Sequence, residues 1–277
     1  MRLRLGVAYD GTDFCGWAVQ PGLRSVAGEL TAGLVRLFGE PAGLTVAGRT
    51  DAGVHATGQV CHVDVPEEAW QAVSTPRDGA SSPMVAIRRL AGVLPGDVRV
   101  TSVARVDERF DARFSAYRRR YRYRITDNPA GPLPLRRYDT LAWPRALDTG
   151  AMTDAAWDLV GEHDFAAYCR RRPNATTIRE LQRLDVDRRI GGMIVVSVEA
   201  DAFCHAMVRS LVGALLAVGD GRRDSPWPAS LLSRTERASE VTVAPAHGLT
   251  LIGVDYPADL DECAARSVAT RRRRDEA

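Results

Sequence analysis

The stretch MRLRLGVAYDG, residues 1–11, sets Leu3, Leu5, Val7 and Tyr9 in alternation with Arg2, Arg4 and Gly6. A period of two places the apolar set on one face and the polar set on the other, the pattern of a half-buried strand. Asp10-Gly11 are turn residues and end it. Ser25 then predicts the N-cap of a helix whose apolar face is Val26, Leu30, Leu34, Leu37 and Phe38, with Gly39 behind it. A short strand is expected over 44–47 and another over 59–65. Residues 66–82 are polar and broken by Pro and Gly, which predicts a surface loop. Ser82-Pro83 opens a helix through Leu90, with Ser as cap and Pro in the first turn. LPGDV, residues 94–98, turns into a strand that runs to about Val106. The first half therefore reads β-α-β-β-α-β, the order of a split βαβ unit.

A similar order recurs downstream. Strands are expected over 116–125, 178–187 and 193–200, the last two flanking the turn Gly191-Gly192. Helices are expected over 153–160 and 206–218, the second with Met207, Leu211, Leu215 and Val218 on one face, and GLTLIGVDYP, residues 248–257, closes with a strand. The expected division is an N-terminal α/β half over 1–106, a C-terminal α/β half over 107–260, and a charged, disordered tail over 261–277.

The composition suits a globular protein. The chain has 277 residues, 45% hydrophobic and 26% charged, enough for one large domain or two modest ones. Its 37 Lys+Arg against 35 Asp+Glu give a formal charge of +2, so a nucleic-acid partner has to be argued from where the charges lie. The five cysteines, at 15, 61, 169, 204 and 263, include no CxxC pair. This predicts neither a disulfide framework nor a zinc ribbon, and a reducing compartment. No segment approaches the ~20 apolar residues that cross a bilayer, and the N-terminus lacks the apolar run of a signal peptide. The expectation is a cytoplasmic protein with no membrane attachment.

Three stretches could carry chemistry. AGRTDAGVHATGQV, residues 47–60, sets Asp51 two residues after Arg49, framed by Gly48 and Gly53. It reads either as a turn in which Asp and Gly do backbone work or as a loop presenting a carboxylate. SAYRRRYRYRIT, residues 115–126, read as a strand, places Tyr117, Arg119, Tyr121, Tyr123 and Ile125 on one face and Arg118, Arg120, Arg122 and Arg124 on the other. Four like charges on one face need counter-charges, from an RNA backbone or from acids on neighbouring strands, and tyrosines opposite could stack bases. In FCHAMVRSLVG, residues 203–213, Arg209 sits among apolar neighbours on a helix. It either snorkels to solvent or pairs with an acid elsewhere, for which Asp51 is the candidate. His55, His62, His205, Cys61 and Cys204 match no usual metal-ligand spacing. Phosphate-binding GxxxxGK[ST] and GxGxxG loops and the GxSxG elbow are absent.

GRTDAGVHATGQV resembles the active-site motif of the TruA family of tRNA pseudouridine synthases. YDGTDFCGW, RSVAGEL, LPGDV, FDARFSAYRRRYRYRI, GEHDF, AFCHAMVRSLVG and GLTLIGVDYP resemble family segments in family order, over most of residues 1–257. The resemblance implies two pseudo-symmetric α/β halves sharing an extended mixed, mainly antiparallel sheet, with helices on one face and the active-site cleft between the halves. It implies an isomerase that converts uridine to pseudouridine at nucleotides 38, 39 and 40 of the tRNA anticodon stem-loop, with no cofactor, no metal, and a homodimer contacting one tRNA. Carried over by position, Asp51 matches the catalytic aspartate, Arg49 the arginine that helps displace the target base, Tyr121 the tyrosine stacked on uracil, and Arg209 the arginine paired with the aspartate. Leu251 matches the apolar residue lining the pocket. Gly53, His55, Arg122, Arg124 and His205 stand in the same motifs as expected substrate contacts. The sequence departs from the family where Ala18 follows Trp17, where LAGV precedes LPGD, and where Ala206 follows His205.

The chemistry suits these residues. Pseudouridine forms when the N1–C1′ bond breaks, the uracil turns, C5 joins C1′, and the C5 proton leaves. An ionised carboxylate can act as nucleophile or as the base that starts elimination, and both remain open. A uracil in a stem must first be flipped, at a cost of a few kcal/mol. Two other readings compete: an RNA-binding or chaperone protein on the same fold, and a metal-dependent RNA hydrolase. Asp51, Tyr121 and Arg209 together argue against the first, and the lack of clustered acids against the second.

Overall fold

In the computed structural model the opening alternation forms strand β1, Arg2–Tyr9, with Leu3, Leu5, Val7 and Tyr9 buried and the residues between them half-buried. The structure describes residues 1–40, 42–76, 82–170 and 176–275. Helix α1, Val26–Phe38, begins where Ser25 accepts from the Gly28 N–H and ends at Gly39, whose φ of 80° suits glycine. Strands β2, Ala42–Val46, and β3, His55–Asp64, follow. β3 starts four residues earlier than expected, so His55 stands on a strand rather than in the preceding loop.

The stretch 66–82, expected as a loop, contains helix α2, Glu67–Ser74. Its buried face is Trp70, Val73 and Ser74, an apolar stripe that the surrounding polar residues mask in a composition count. Residues 77–81 of that stretch lie outside the described residues, as do 171–175. Helix α3, Pro83–Val93, is capped by Ser82 through the Met84 N–H, and strand β4 is Val98–Val106. β1 lies between β3 and β4, antiparallel to both, with Leu5 facing Cys61 on one side and Val103 on the other.

The next unit begins with β5, Arg118–Thr126, and β6, Leu141–Ala142, which pairs parallel to it. Helix α4, Thr149–Trp157, starts four residues earlier than expected because Asp148 caps it, accepting from the N–H groups of Gly150 and Ala151. β7, Gly161–Asp164, was not foreseen; β8, Ile178–Arg188, and β9, Ile194–Ala200, meet around Gly191 and Gly192, both at positive φ. The sheet order here is β5-β9-β8-β7, antiparallel throughout. Helix α5, Met207–Gly219, is buried all round: of its thirteen residues only Arg209 is partly exposed. The short helix α6, Trp227–Ser230, follows, and the Tyr168 hydroxyl donates to the Pro228 carbonyl at 2.6 Å.

Strand β10, Leu249–Asp255, and helix α7, Leu260–Asp275, bring the chain back to the first unit, where β10 neighbours β3. The two compact units are thus Met1–Tyr117 with Leu251–Arg272, and a second built on Arg118–Thr250. The tail, expected to be disordered, is helical. Cys263 and Ser267, four residues apart, bury one side of α7, and Arg271 pairs with Asp111 while its guanidinium stacks on Phe114. The fold is a mixed α/β one with predominantly antiparallel strands, as expected.

Candidate active site

The Asp51 loop bends at Ala47-Gly48 and carries no regular structure through Asp51. Arg49 is exposed, Thr50 buried and Asp51 half-buried. What holds this strip is a set of uncharged hydrogen bonds beneath it. The Thr50 hydroxyl lies 2.7 Å from the Tyr9 hydroxyl, Gln59 Nε2 donates to the Gly48 carbonyl at 2.8 Å, and the Thr50 carbonyl accepts from the Trp17 N–H. Burial pushes the Tyr9 phenol up to about 12, so it stays protonated. Gly53 stands at φ 77° and donates its N–H to the Phe14 carbonyl. Gly16, at φ 96°, presses on the loop so closely that a Cβ there would stand 2.9 Å from the Thr50 carbonyl oxygen and 3.2 Å from the Asp51 carbonyl carbon. His55 is buried, with Nδ1 accepting from the Gly11 N–H and 3.1 Å from the Asp10 carboxylate. Burial works against the Asp10 charge, yet hydrogen bonds from Thr12 and the nearby His55 hold that carboxyl below its usual range. His55 therefore ties the Asp10-Gly11 turn to the start of β3. Leu251 is fully buried on β10.

In the second unit, β5 alternates as expected. Arg119, Tyr121, Tyr123 and Ile125 are buried, whereas Arg118, Arg120, Arg122 and Arg124 lie on the other face. The tyrosines differ, however. Tyr123 is wholly core, its ring against Gly248 and its hydroxyl donating to the Pro245 carbonyl, and burial raises its phenol. Tyr121 is 8% exposed and meets Phe203 edge-on at 5.2 Å between ring centroids. On the arginine face, Glu199 of β9 pairs with Arg118 and Arg183. Arg124 donates to the Thr250 hydroxyl, lies 3.4 Å from Asp139, and its guanidinium pKa is lowered by burial. Arg122 is exposed. Acids from neighbouring elements thus supply part of the counter-charge.

Arg209 leaves the apolar helix α5 with its Nε donating to the Ala244 carbonyl at 2.7 Å, while the Ala244 N–H donates back to the Arg209 carbonyl. The start of α5 is pinned. Ala206 adopts a left-handed φ of 66°, the Met207 N–H donates to Cys204, and the Arg170 N–H donates to the His205 carbonyl. Cys169 and Cys204 stand side by side here, with Cα atoms 5.7 Å apart. The turn over 166–168 and the β9–α5 connection bring together two cysteines 35 residues apart in sequence.

The sequence reading missed Phe203 as the neighbour of Tyr121, and it missed Tyr9, Thr50 and Gln59 as supports of the loop. Each stands inside a stretch singled out above, but pairwise contact leaves no mark in one chain's periodicity. Among the described residues no three His, Cys, Asp or Glu are grouped as a metal site, and no helix is long and apolar enough to cross a membrane.

Known proteins resemble this chain along nearly its whole length. The sequence profile described as tRNA pseudouridine synthase matches residues 155–257. The tRNA pseudouridine synthase A of Frankia casuarinae is 59% identical, and that of Mycobacterium leprae 54% identical, each over 98% of this chain and 94% of its own length. The Corynebacterium glutamicum protein of the same name is 52% identical over 98% of this chain and 94% of its own. Among solved structures, a Cbf5–Nop10–Gar1 complex is similar over 77% of this chain and 45% of the matched chain, at 13% identity and a TM-score of 0.35, too distant to bear on the fold. The class that emerges is that of the pseudouridine synthases, which are isomerases. The chain belongs to the tRNA pseudouridine synthase A family.

Proposed function

We propose that the chain isomerises uridine to pseudouridine at nucleotides 38, 39 and 40 of the tRNA anticodon stem-loop, with the Asp51 carboxylate attacking or deprotonating the ribose of a flipped nucleotide. The observation that carries this reading is the anchoring of the loop: the Gly48 carbonyl and the Thr50 side chain are held by buried hydrogen bonds on either side of an exposed Arg49, next to a half-buried Asp51. A loop that served only as a turn would need no such anchoring of a charged pair. The family membership supports tRNA as the substrate.

The other residues divide the remaining work. Tyr121, which meets Phe203 edge-on, is the flat surface for the detached uracil, and the C5 proton goes to its hydroxyl oxygen. Arg209, the lone cation of a buried helix, is the counter-charge that a carboxylate in an apolar surrounding requires. Arg49 fills the space left by the flipped nucleotide, and Arg122 contacts phosphate. The reaction breaks one bond to C1′ and makes another, with no net oxidation and no water consumed, and it needs no metal. We further infer a homodimer working in the cytoplasm, on the strength of the family resemblance.

Incubating the protein with unmodified tRNA transcript in EDTA and mapping pseudouridine tests the proposal. Product at 38–40 is expected. Strand cleavage, or an unmodified tRNA, would refute it.

A further inference from the structure

A carboxylate carried by a glycine-framed loop has to be held to within ~0.5 Å of its working position, and side chains locked by packing are what can do this. Two buried polar residues, Tyr9 and Gln59, meet the loop from its inner side, and a third, Thr50, belongs to it. Tyr9 is 5% exposed, Thr50 7% and Gln59 0%. Gln59 Nε2 donates both to the Gly48 carbonyl, at 2.8 Å, and to the Tyr9 hydroxyl oxygen, at 3.3 Å. The Tyr9 and Thr50 hydroxyls share a further hydrogen bond at 2.7 Å, in which either can donate. The Gln59 Oε1 accepts from the Val60 N–H, which fixes the orientation of the amide on β3. This chain of hydrogen bonds runs from strand β3 through β1 to the residue immediately before Asp51, and it grips the loop on both sides of Arg49. All its members are neutral, so it adds no charge that would compete with the carboxylate for a partner.

We propose that Tyr9, Gln59 and Thr50 are positioning residues, a buried hydrogen-bonded relay that sets where the Asp51 carboxylate stands. This rests on the proposed reaction at Asp51, and the experiment keeps the two separable. Tyr9→Phe, Thr50→Val, Thr50→Ser and the Tyr9→Phe/Thr50→Val double variant are compared with wild type in single-turnover pseudouridine formation at saturating enzyme. Equilibrium tRNA binding, thermal midpoint and amide exchange over residues 50–54 are measured alongside. Tyr9→Phe and Thr50→Val are expected to slow the chemical step by ~10–100-fold, the scale of a misplaced reacting group. Affinity for tRNA stays within about twofold and loop amides exchange at least about tenfold faster. Thr50→Ser restores most of the rate. The double variant is no more than about threefold slower than the slower single one, because both cut one relay.

An unchanged rate with an unchanged exchange pattern overturns the inference. So does a parallel fall of rate, affinity and thermal midpoint, the sign of a merely structural role. If Tyr9→Phe does not fold, the Val and Ser replacements of Thr50 decide. Wild type that makes no pseudouridine would sink the proposed reaction, and loop exchange alone would then judge the relay.

Discussion

The Asp51 loop and strand β5 both hold charged side chains at a surface, and they hold them by opposite means. At the loop, the neutral groups of Tyr9, Thr50 and Gln59 fix the backbone around Arg49, which is exposed, and Asp51, which is half-buried. On β5 the charges are balanced laterally, Arg118 by Glu199 and Arg124 by Asp139, with further hydrogen bonds to Gln182 and Thr250. Neutral buried hydrogen bonds are barely screened by salt, whereas exposed ion pairs and phosphate contacts are. The hydrogen bonds under the loop are therefore the less sensitive to salt. The strand is built so that its charges can exchange partners.

The largest effect tests the charged part of the loop. Asp51→Asn, nearly isosteric, is expected to slow pseudouridine formation by ~10²–10⁴-fold or more while tRNA affinity stays within several-fold. A comparable loss of binding would make Asp51 a structural residue. Next comes the loop's inner wall. Gly16→Ala adds a Cβ at positive φ, 2.9 Å from the Thr50 carbonyl oxygen, and should destabilise by about 2–3 kcal/mol in denaturant titration. A variant as stable as wild type would mean that the loop yields, and the contrast with β5 would weaken.

Two arginines on one face of β5 sharpen the other side of the comparison. Arg124→Glu would place a second carboxylate beside Asp139 and is expected to lower stability by roughly 1–3 kcal/mol. Arg122→Glu should leave stability within about 0.5 kcal/mol. It should instead flatten the log–log salt dependence of tRNA binding by ~0.7–0.9 for the lost phosphate contact. Equal behaviour of the two would place this face away from RNA.

The pH response should separate the regions as well. Hydrogen bonds from Arg188 hold the Asp127 carboxyl at about 2 despite burial, with the Leu147 N–H adding to them. A lowered carboxyl stabilises the fold above its unfolded value near 3.8, and that contribution is lost as pH falls toward about 2. Tyr9, raised by burial, behaves oppositely: its contribution is complete below pH 10 and is lost as pH rises toward about 12. Asp127→Asn should therefore remove part of the acid limb of the stability profile and leave the alkaline limb unchanged. The smallest expected effect is Ala206→Gly, which relieves a left-handed alanine at the start of α5. Relief of that strain and the added freedom of the unfolded chain oppose each other, for a net gain of at most about 1 kcal/mol in thermal unfolding.

Much of this molecule was legible in its residues because the deciding physics is local. A period of two in residues 2–9 and 118–126 settled which side chains are buried, and Ser25 and Ser82 marked helix starts by bonding to N–H groups two or three residues on. GRTDAGVHATGQV named the loop and the family. Tertiary structure decided what depends on partners distant in sequence. Polar segments such as α2 and α7 are helical because Trp70, Val73, Cys263 and Ser267 find a surface to cover. Tyr121 and Tyr123 share one face and one residue type, yet one meets Phe203 and the other disappears into the core. Cys169 and Cys204 carry no spacing signal and still come to lie side by side. Periodicity and capping are written within a few residues of each other. Contact between residues 9, 50 and 59, or 121 and 203, is set by strand register and packing, which come into being only when the chain folds.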